Sequence, residues 1–543
     1  MKRLFFVRCL LIFFGLTGIS TCLIAQYKSK VWVADNGDGT YKNPIIHADY
    51  SDPDAIRVGN DYYMVSSSFE NIPGLPILQS KDLVNWKILT NALIKQPPFD
   101  VFATPQHGKG VWAPAIRHHN NQFLIYYPDP DYGIYVITAQ NPAGPWSKPI
   151  LVEGGKGLID PCPLWDDDGK AYLVHGFAGS RAGIKSIIVV KTLNASGTEV
   201  TNDGKIVFDG HEQDPTIEGP KFYKRNGYYY IFAPAGGVAT GWQLVLRSKH
   251  IYGPYERKVV LAQGASPTNG PHQGAWVNTP SGEDWFLHFQ DKGVYGRIVH
   301  LQPMKWINDW PVIGLDNDGD GTGEPVLAYK KPNVGKTYPI ETPQESDEFN
   351  ELYIGKQWQW NANSRATWAF MNISNGSLRL FSDLIDTTRN LWWAPNVLLQ
   401  KFPAPVFTAT TKLSFTPNER LQNEKVGLTV LGFSYAAIAL KSKKDGVYVT
   451  YTTCKDADSG KLEQEKTLNK IDAKKPIYLR VKVSNGGMCQ FSYSVNGQDF
   501  TNVGEPFQAE VGRWIGAKVG IFITRQNTIN DSGFADFDWF RIE

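Results

Sequence analysis

The chain has 543 residues, with 55 Lys and Arg against 53 Asp and Glu and a formal net charge of +2. That balance excludes broad electrostatic binding to nucleic acid or anionic membranes, and the length calls for two or three domains. Aromatic residues make up 13% of the chain, including 17 Trp and 25 Tyr, enough for a β-core with some rings left over to stack on sugar faces.

The N-terminus has the pattern of a targeting segment. Lys2, Arg3 and Arg8 precede an apolar run from Leu10 to Ile19, too short for a membrane span, and Leu23-Ile24-Ala25 offers a cleavage site before Gln26. Residues 1–25 are therefore expected to be a signal peptide, and the protein to be exported to the periplasm or the medium. Cys22 leaves lipoprotein anchoring open as an alternative. Beyond that segment only Cys162, Cys454 and Cys489 remain. One disulfide is the ceiling, Cys454–Cys489 is the expected pair, and stability has to come from the hydrophobic core.

An internal repeat organises the chain downstream of that segment. A polar or Gly turn leads into a short aromatic-rich strand five times: Asn60-Asp61-Tyr62-Tyr63, Asn120-Asn121-Gln122-Phe123, Asp168-Gly169-Lys170-Ala171-Tyr172, Asn226-Gly227-Tyr228-Tyr229 and Gly282-Glu283-Asp284-Trp285. The first aromatics stand at 62, 123, 172, 228 and 285, in steps of 61, 49, 56 and 57 residues. Each step suits one four-stranded blade of a five-bladed β-propeller.

Before each phrase stands a Pro- or Gly-bearing turn: Asp52-Pro53-Asp54, Trp112-Ala113-Pro114, Asp160-Pro161-Cys162, Glu218-Gly219-Pro220 and His272-Gln273-Gly274. The first strand of a propeller blade lines the central channel, so its opening residue sits at the channel mouth. Asp52, Asp160, Glu218 and His272 are thus expected at equivalent places in four blades, with Trp112 beside the fifth. The propeller is expected over residues 26–335. The run Asp316-Asn317-Asp318-Gly319-Asp320 resembles half a calcium loop, but Leu327 stands where the twelfth-position Glu belongs, so a solvated turn is the expectation. From about Asp347 short strands with turns such as Asn496-Gly497 indicate a second, all-β domain, a β-sandwich over 340–543.

Acetal hydrolysis needs an acid to protonate the leaving oxygen and a base to activate water. Two carboxylates supply both when their pKa values are driven apart, and a third nearby raises the pKa of the acid. Glu218 suits the general acid, Asp52 the general base and Asp160 the pKa modulator; position in the repeat separates Asp52 from Asp54 only weakly. Two rival classes are a sugar-binding propeller without catalysis and an adhesion protein whose sandwich is the working half.

The stretch from His47-Ala48-Asp49-Tyr50-Ser51-Asp52-Pro53-Asp54 through Ser66-Ser67-Ser68-Phe69 to Asn85-Trp86, with Trp112-Ala113-Pro114, Ile159-Asp160-Pro161 and Glu218-Gly219-Pro220, resembles glycoside hydrolase family 43. The C-terminal part resembles the concanavalin-like, jelly-roll sandwich of β-xylosidases in that family. The resemblance implies an inverting hydrolase of hemicellulose-derived glycans, a β-1,4-xylosidase or an α-L-arabinofuranosidase or both, that needs no cofactor. An exo-acting enzyme is expected, with the sandwich closing one side of the pocket and so favouring chain ends over internal bonds. The resemblance also implies Asp52 as base over Asp54, Asp160 as modulator and Glu218 as acid. Phe69 and Trp112 match aromatic walls of the sugar subsite, and Arg297 an arginine that binds sugar hydroxyls. His272 matches a channel histidine that in some members holds water or a structural calcium ion. Asp54 departs from the family's usual Ser or Thr.

Overall fold

The structure, a computed structural model, describes residues 26–386 and 389–543. The expected targeting segment, with Cys9 and Cys22, lies outside them.

Five four-stranded antiparallel sheets follow one another, each built from consecutive strands. Blade 1 comprises Asp54–Val58, Asp61–Val65, Gly74–Ser80 and Trp86–Leu93. Blade 2 comprises Ala115–His119, Gln122–Asp129, Gly133–Ala139 and Ile150–Gly154. Blade 3 runs Leu158–Trp165, Ala171–Phe177, Ile187–Leu193 and Lys205–Asp209. Blade 4 runs Lys221–Arg225, Tyr228–Ala235, Trp242–Ser248 and Glu256–Leu261. Blade 5 runs His272–Asn278, Asp284–Asp291, Arg297–Ile307 and Trp310–Ile313. The repeated aromatic phrases begin or lead into the second strand of each blade.

The local chemistry explains these hairpins. Asn120 and Asn121, and again Asn226 and Gly227, have positive φ, the twist that two-residue turns between right-twisted strands require. Proline at 53, 114 and 220 stands directly before an inner strand, where a missing N–H costs least; Pro161 lies inside one, at a register shift between Ile159 and Cys162. No strand is shared between the first and last blades. The ring is instead fastened by Thr40–Lys42 pairing antiparallel with Ala328–Lys330, and by Ile46 bridging Val299.

The second domain packs two sheets face to face. One holds Gln359–Trp360, Leu398–Lys401, Lys518–Arg525, Lys425–Leu431, Tyr435–Lys443, Gly446–Cys454 and Gln464–Ile471 in that spatial order, with Asp383–Leu384 alongside. The other runs Ala369–Asn372, Ser377–Phe381, Phe534–Ile542, Phe407–Thr416, Ile477–Ser484, Met488–Ser494 and Thr501–Gln508. Burial alternates along Ile477–Ser484, as expected of a strand with one face on the core. Leu413, Val481, Phe491 and Phe537 from one sheet meet Leu428, Ile438, Val449 and Ile521 from the other.

The expected Cys454–Cys489 disulfide is absent. Both thiols are free and buried, in different sheets, and each is held by a nearby carbonyl: Cys454 Sγ by Lys461 O at 3.2 Å and Cys489 Sγ by Gly487 O at 3.4 Å. The turn at Asp316 folds on its own carboxylates, which accept the backbone N–H of Gly319 and Gly321 at 2.7 and 3.0 Å.

Candidate active site

A cavity of about 290 Å³ opens at one mouth of the propeller channel. Asp52, Asp160 and Glu218, from blades 1, 3 and 4, all face it, together with Phe69, Trp112 and Arg297. Six of the seven residues singled out in the sequence thus line one space. His272, the seventh, lies wholly buried behind Glu218, its Nε2 3.5 Å from Glu218 Oε1.

Asp52 and Asp160 share a backbone conformation. Their φ angles are 55° and 57°, the left-handed region that Asp tolerates better than most residues. Gly219 and Gln273 repeat it in blades 4 and 5, with φ of 59° and 35°. In three blades the left-handed residue directly precedes proline. By that register Asp52 and Asp160 are equivalent to Gly219 and Gln273, and Glu218 and His272 stand one residue earlier. The expected equivalence of all four is therefore corrected: Glu218 reaches the cavity from the preceding position.

Hydrogen bonding sets the three acids apart. Asp52 Oδ2 accepts the Ser67 hydroxyl at 2.5 Å, and Arg297 Nη1 meets its Oδ1 and Oδ2 at 3.0 and 3.3 Å. Asp160 Oδ2 accepts the Gly219 N–H at 2.7 Å and the Gln273 amide at 3.5 Å. Glu218 accepts no protein hydrogen bond among the described residues. Burial, then the negative charge of Asp160, pushes its pKa above the ordinary carboxyl range. Burial also raises Asp160, against the Gly219 N–H and the Lys221 charge, which oppose the shift. The Glu218 side chain keeps 27% of its exposure, and that exposure is to the cavity, so a bound sugar would complete its desolvation.

Asp54 does not face the cavity. Its Oδ2 accepts the Ile116 N–H at 2.7 Å and Arg117 Nη1 at 2.6 Å, a buried ion pair that locks blade 1 to blade 2. His272 is held neutral: burial and the Arg297 charge lower its pKa to about 3.

The second domain supplies a wall on one side of the cavity, through a residue that the sequence does not signal. Trp514 lines the same cavity, edge-on to Trp112 at 6.1 Å between ring centroids, while Phe69 meets Trp112 edge-on at 6.4 Å. Arg181, from the helical turn Gly179–Ala182, lies 5.3 Å from the Trp112 ring.

The family described as "Glycosyl hydrolases family 43" matches residues 41–311, and "Beta xylosidase C-terminal Concanavalin A-like domain" matches residues 346–543. A protein of Xylanibacter ruminicola, provisionally named a β-xylosidase, is 39% identical over 92% of this chain and 89% of its own length. A β-xylosidase of Formosa agariphila is 32% identical, covering 95% and 92%.

This chain belongs to glycosyl hydrolase family 43.

A non-reducing end α-L-arabinofuranosidase of Bacteroides ovatus is also similar, at 28% identity over 96% of this chain and 98% of its own. Among solved structures, a family-43 protein of Bacillus licheniformis superposes with a TM-score of 0.79 at 28% identity, covering 93% of this chain and 99% of that one. The chain is thus a glycoside hydrolase of an inverting family, and its two-domain arrangement is that of the solved family-43 structure. The appended sandwich contributes to the candidate site, because Trp514 forms one of its walls.

Proposed function

We propose that this chain is an exo-acting xylosidase that releases terminal β-1,4-linked xylose from hemicellulose-derived glycans, with Asp52 as general base, Glu218 as general acid and Asp160 as modulator of the acid. One observation carries the roles: of three carboxylates on one cavity, two are met by protein donors and the third is not. Glu218, lacking a donor and raised by burial and by Asp160, is suited to carry a proton near neutral pH. It gives that proton to the glycosidic oxygen as the bond from C1 to that oxygen breaks. Asp52 takes a proton from a water whose oxygen attacks C1 from the opposite face, leaving a hemiacetal of inverted configuration and a free alcohol. Solvent then returns both carboxyls to their starting states.

The sugar assignment is supported by the two relatives named as β-xylosidases. The exo mode is supported by Trp514 and Trp112, which wall the cavity from two domains. The Bacteroides relative favours a second reading, α-L-arabinofuranosidase activity at the same site. Turnover of nitrophenyl β-xyloside and α-arabinofuranoside decides between them, with Asp52→Asn and Glu218→Gln as controls. Parent-level activity in both variants would overturn the roles.

Arg297 is proposed to bind sugar hydroxyls while it orients Asp52, and Phe69 and Trp112 to stack on the sugar. His272 is the residue that would hold a calcium ion. Neither of its ring nitrogens has a hydrogen-bond partner among the described residues. Such an ion would add positive charge beside Glu218, and no step above depends on it. Export is proposed from the basic and apolar N-terminal pattern; a mature N-terminus other than Gln26 or Cys22 would count against it.

A further inference from the structure

Three loops meet behind the cavity at one buried carboxylate, Asp49. Its Oδ1 accepts the Ser51 hydroxyl at 2.8 Å and the Arg297 backbone N–H at 3.0 Å. Its Oδ2 accepts the backbone N–H of Gly516 at 2.9 Å. Ser51 adjoins Asp52. Arg297 carries the guanidinium that pairs with Asp52, and its carbonyl accepts the Tyr50 N–H at 3.1 Å. Gly516 lies two residues past Trp514. One side chain thus touches the segment bearing the base, the backbone of the base's arginine and the sandwich loop that supplies the distal wall.

The packing is built for this junction. A Cβ on Gly296 would lie 2.4 Å from Asp49 Cγ, and a Cβ on Gly516 would lie 2.5 Å from the Gly296 nitrogen. Only glycine lets the two loops approach closely enough to share the carboxylate. Farther along the loop, a Cβ on Gly108 would lie 2.1 Å from Arg513 Cγ and 3.0 Å from Trp514 Cδ1. Ala517 N–H donates to Val294 O at 2.8 Å. The loop is therefore seated on the propeller on either side of Trp514.

We propose that Asp49 is a positioning residue that sets Trp514 and the Arg297–Asp52 pair in register, making the docking of the sandwich loop and the aim of the base one arrangement. The proposal rests on Asp52 acting as the base. Asp49 itself touches no substrate. An aspartate is needed because three donors converge on two acceptor oxygens. An asparagine keeping its oxygen on Ser51 and Arg297 turns its NH₂ toward the Gly516 N–H, donor against donor.

A double-mutant cycle on xylobiose tests this, since only coupled residues depart from additivity. Asp49→Asn is expected to lower kcat/KM about tenfold, through KM by way of Trp514 and through kcat by way of Asp52, and Trp514→Ala by a similar factor, mainly through KM. The double variant is expected to lose clearly less than the product of the two single losses, since only the share that Asp49 exerts through Arg297 and Asp52 survives removal of Trp514. Gly516→Ala, which pushes the same loop away without altering Asp49, should reproduce the Asp49→Asn effect, and it serves as the test if Asp49→Asn does not fold. Full additivity of Asp49→Asn with Trp514→Ala, or parent-level KM in both Asp49→Asn and Gly516→Ala, would overturn the proposal. Absence of turnover in the parent chain would instead sink the assignment of the reaction.

Discussion

The backbone N–H of Gly219 donates to Asp160 Oδ2 at 2.7 Å, so the residue next to Glu218 is fastened to the neighbouring carboxylate. This bond does two things. It favours the charged form of Asp160, and it fixes the distance over which that charge acts on Glu218. Replacing Asp160 by Asn removes the charge and keeps the shape. The Glu218 pKa then falls toward the ordinary carboxyl range. The alkaline limb of kcat/KM for an aryl xyloside should move to lower pH, and activity at neutral pH should fall. A pH profile with an unmoved alkaline limb would show that Asp160 does not act on the acid by charge.

Glu218 also bears on stability. Its carboxyl is raised in the folded chain by burial and by Asp160, so the folded form holds the proton after the unfolded form has released it. At pH below the ordinary carboxyl value both forms are protonated and nothing is lost. As the pH climbs from there toward the raised folded value, stability drains away. Glu218→Gln removes that loss. Its Tm should match the parent near pH 4 and exceed it near pH 8, as read by thermal denaturation across that window.

Asp54 and Asp52 should part company in the same kind of measurement. Asp54 is completely buried and paired with Arg117, so Asp54→Ala leaves a buried guanidinium without its partner, at a cost of about 3–5 kcal/mol. Asp52 is also paired with a largely buried arginine, Arg297, but Asp52→Asn keeps an oxygen for that partner, so it should cost less stability than Asp54→Ala while removing most activity. Urea titration of the two variants, beside their activity on an aryl xyloside, checks the contrast.

Much of this arrangement is legible in the sequence because the repeat is physical. Turns such as Asn120-Asn121 and Asn226-Gly227 followed by aromatic strands read as hairpins, and five polar or Gly turns of this kind at similar spacing bring scattered acids to one axis. The features that escape the sequence do so for identifiable reasons. Aligning the repeat on its acids puts Glu218 level with Asp52, whereas aligning it on Pro53, Pro161 and Pro220 shows the offset and draws attention to Gln273. Cys454 and Cys489 look like a pair only by elimination; each fills an apolar position in its own sheet. Trp514 has no local signal, since its place depends on Gly108, Gly296 and Gly516 letting one domain settle on the other. Asp49 stands out in the sequence only as a neighbour of Asp52, because two of its three donors are backbone groups more than two hundred residues away.

The division of labour between Glu218 and Asp52 is tested most directly by varying the leaving group. A dinitrophenolate departs without a proton, whereas the xylose of xylobiose must be protonated. On xylobiose, Glu218→Gln should lower kcat/KM by about 10²–10⁴-fold while largely sparing the dinitrophenyl xyloside, and Asp52→Asn should depress both. Equal losses on the two substrates in Glu218→Gln would contradict its role as the acid.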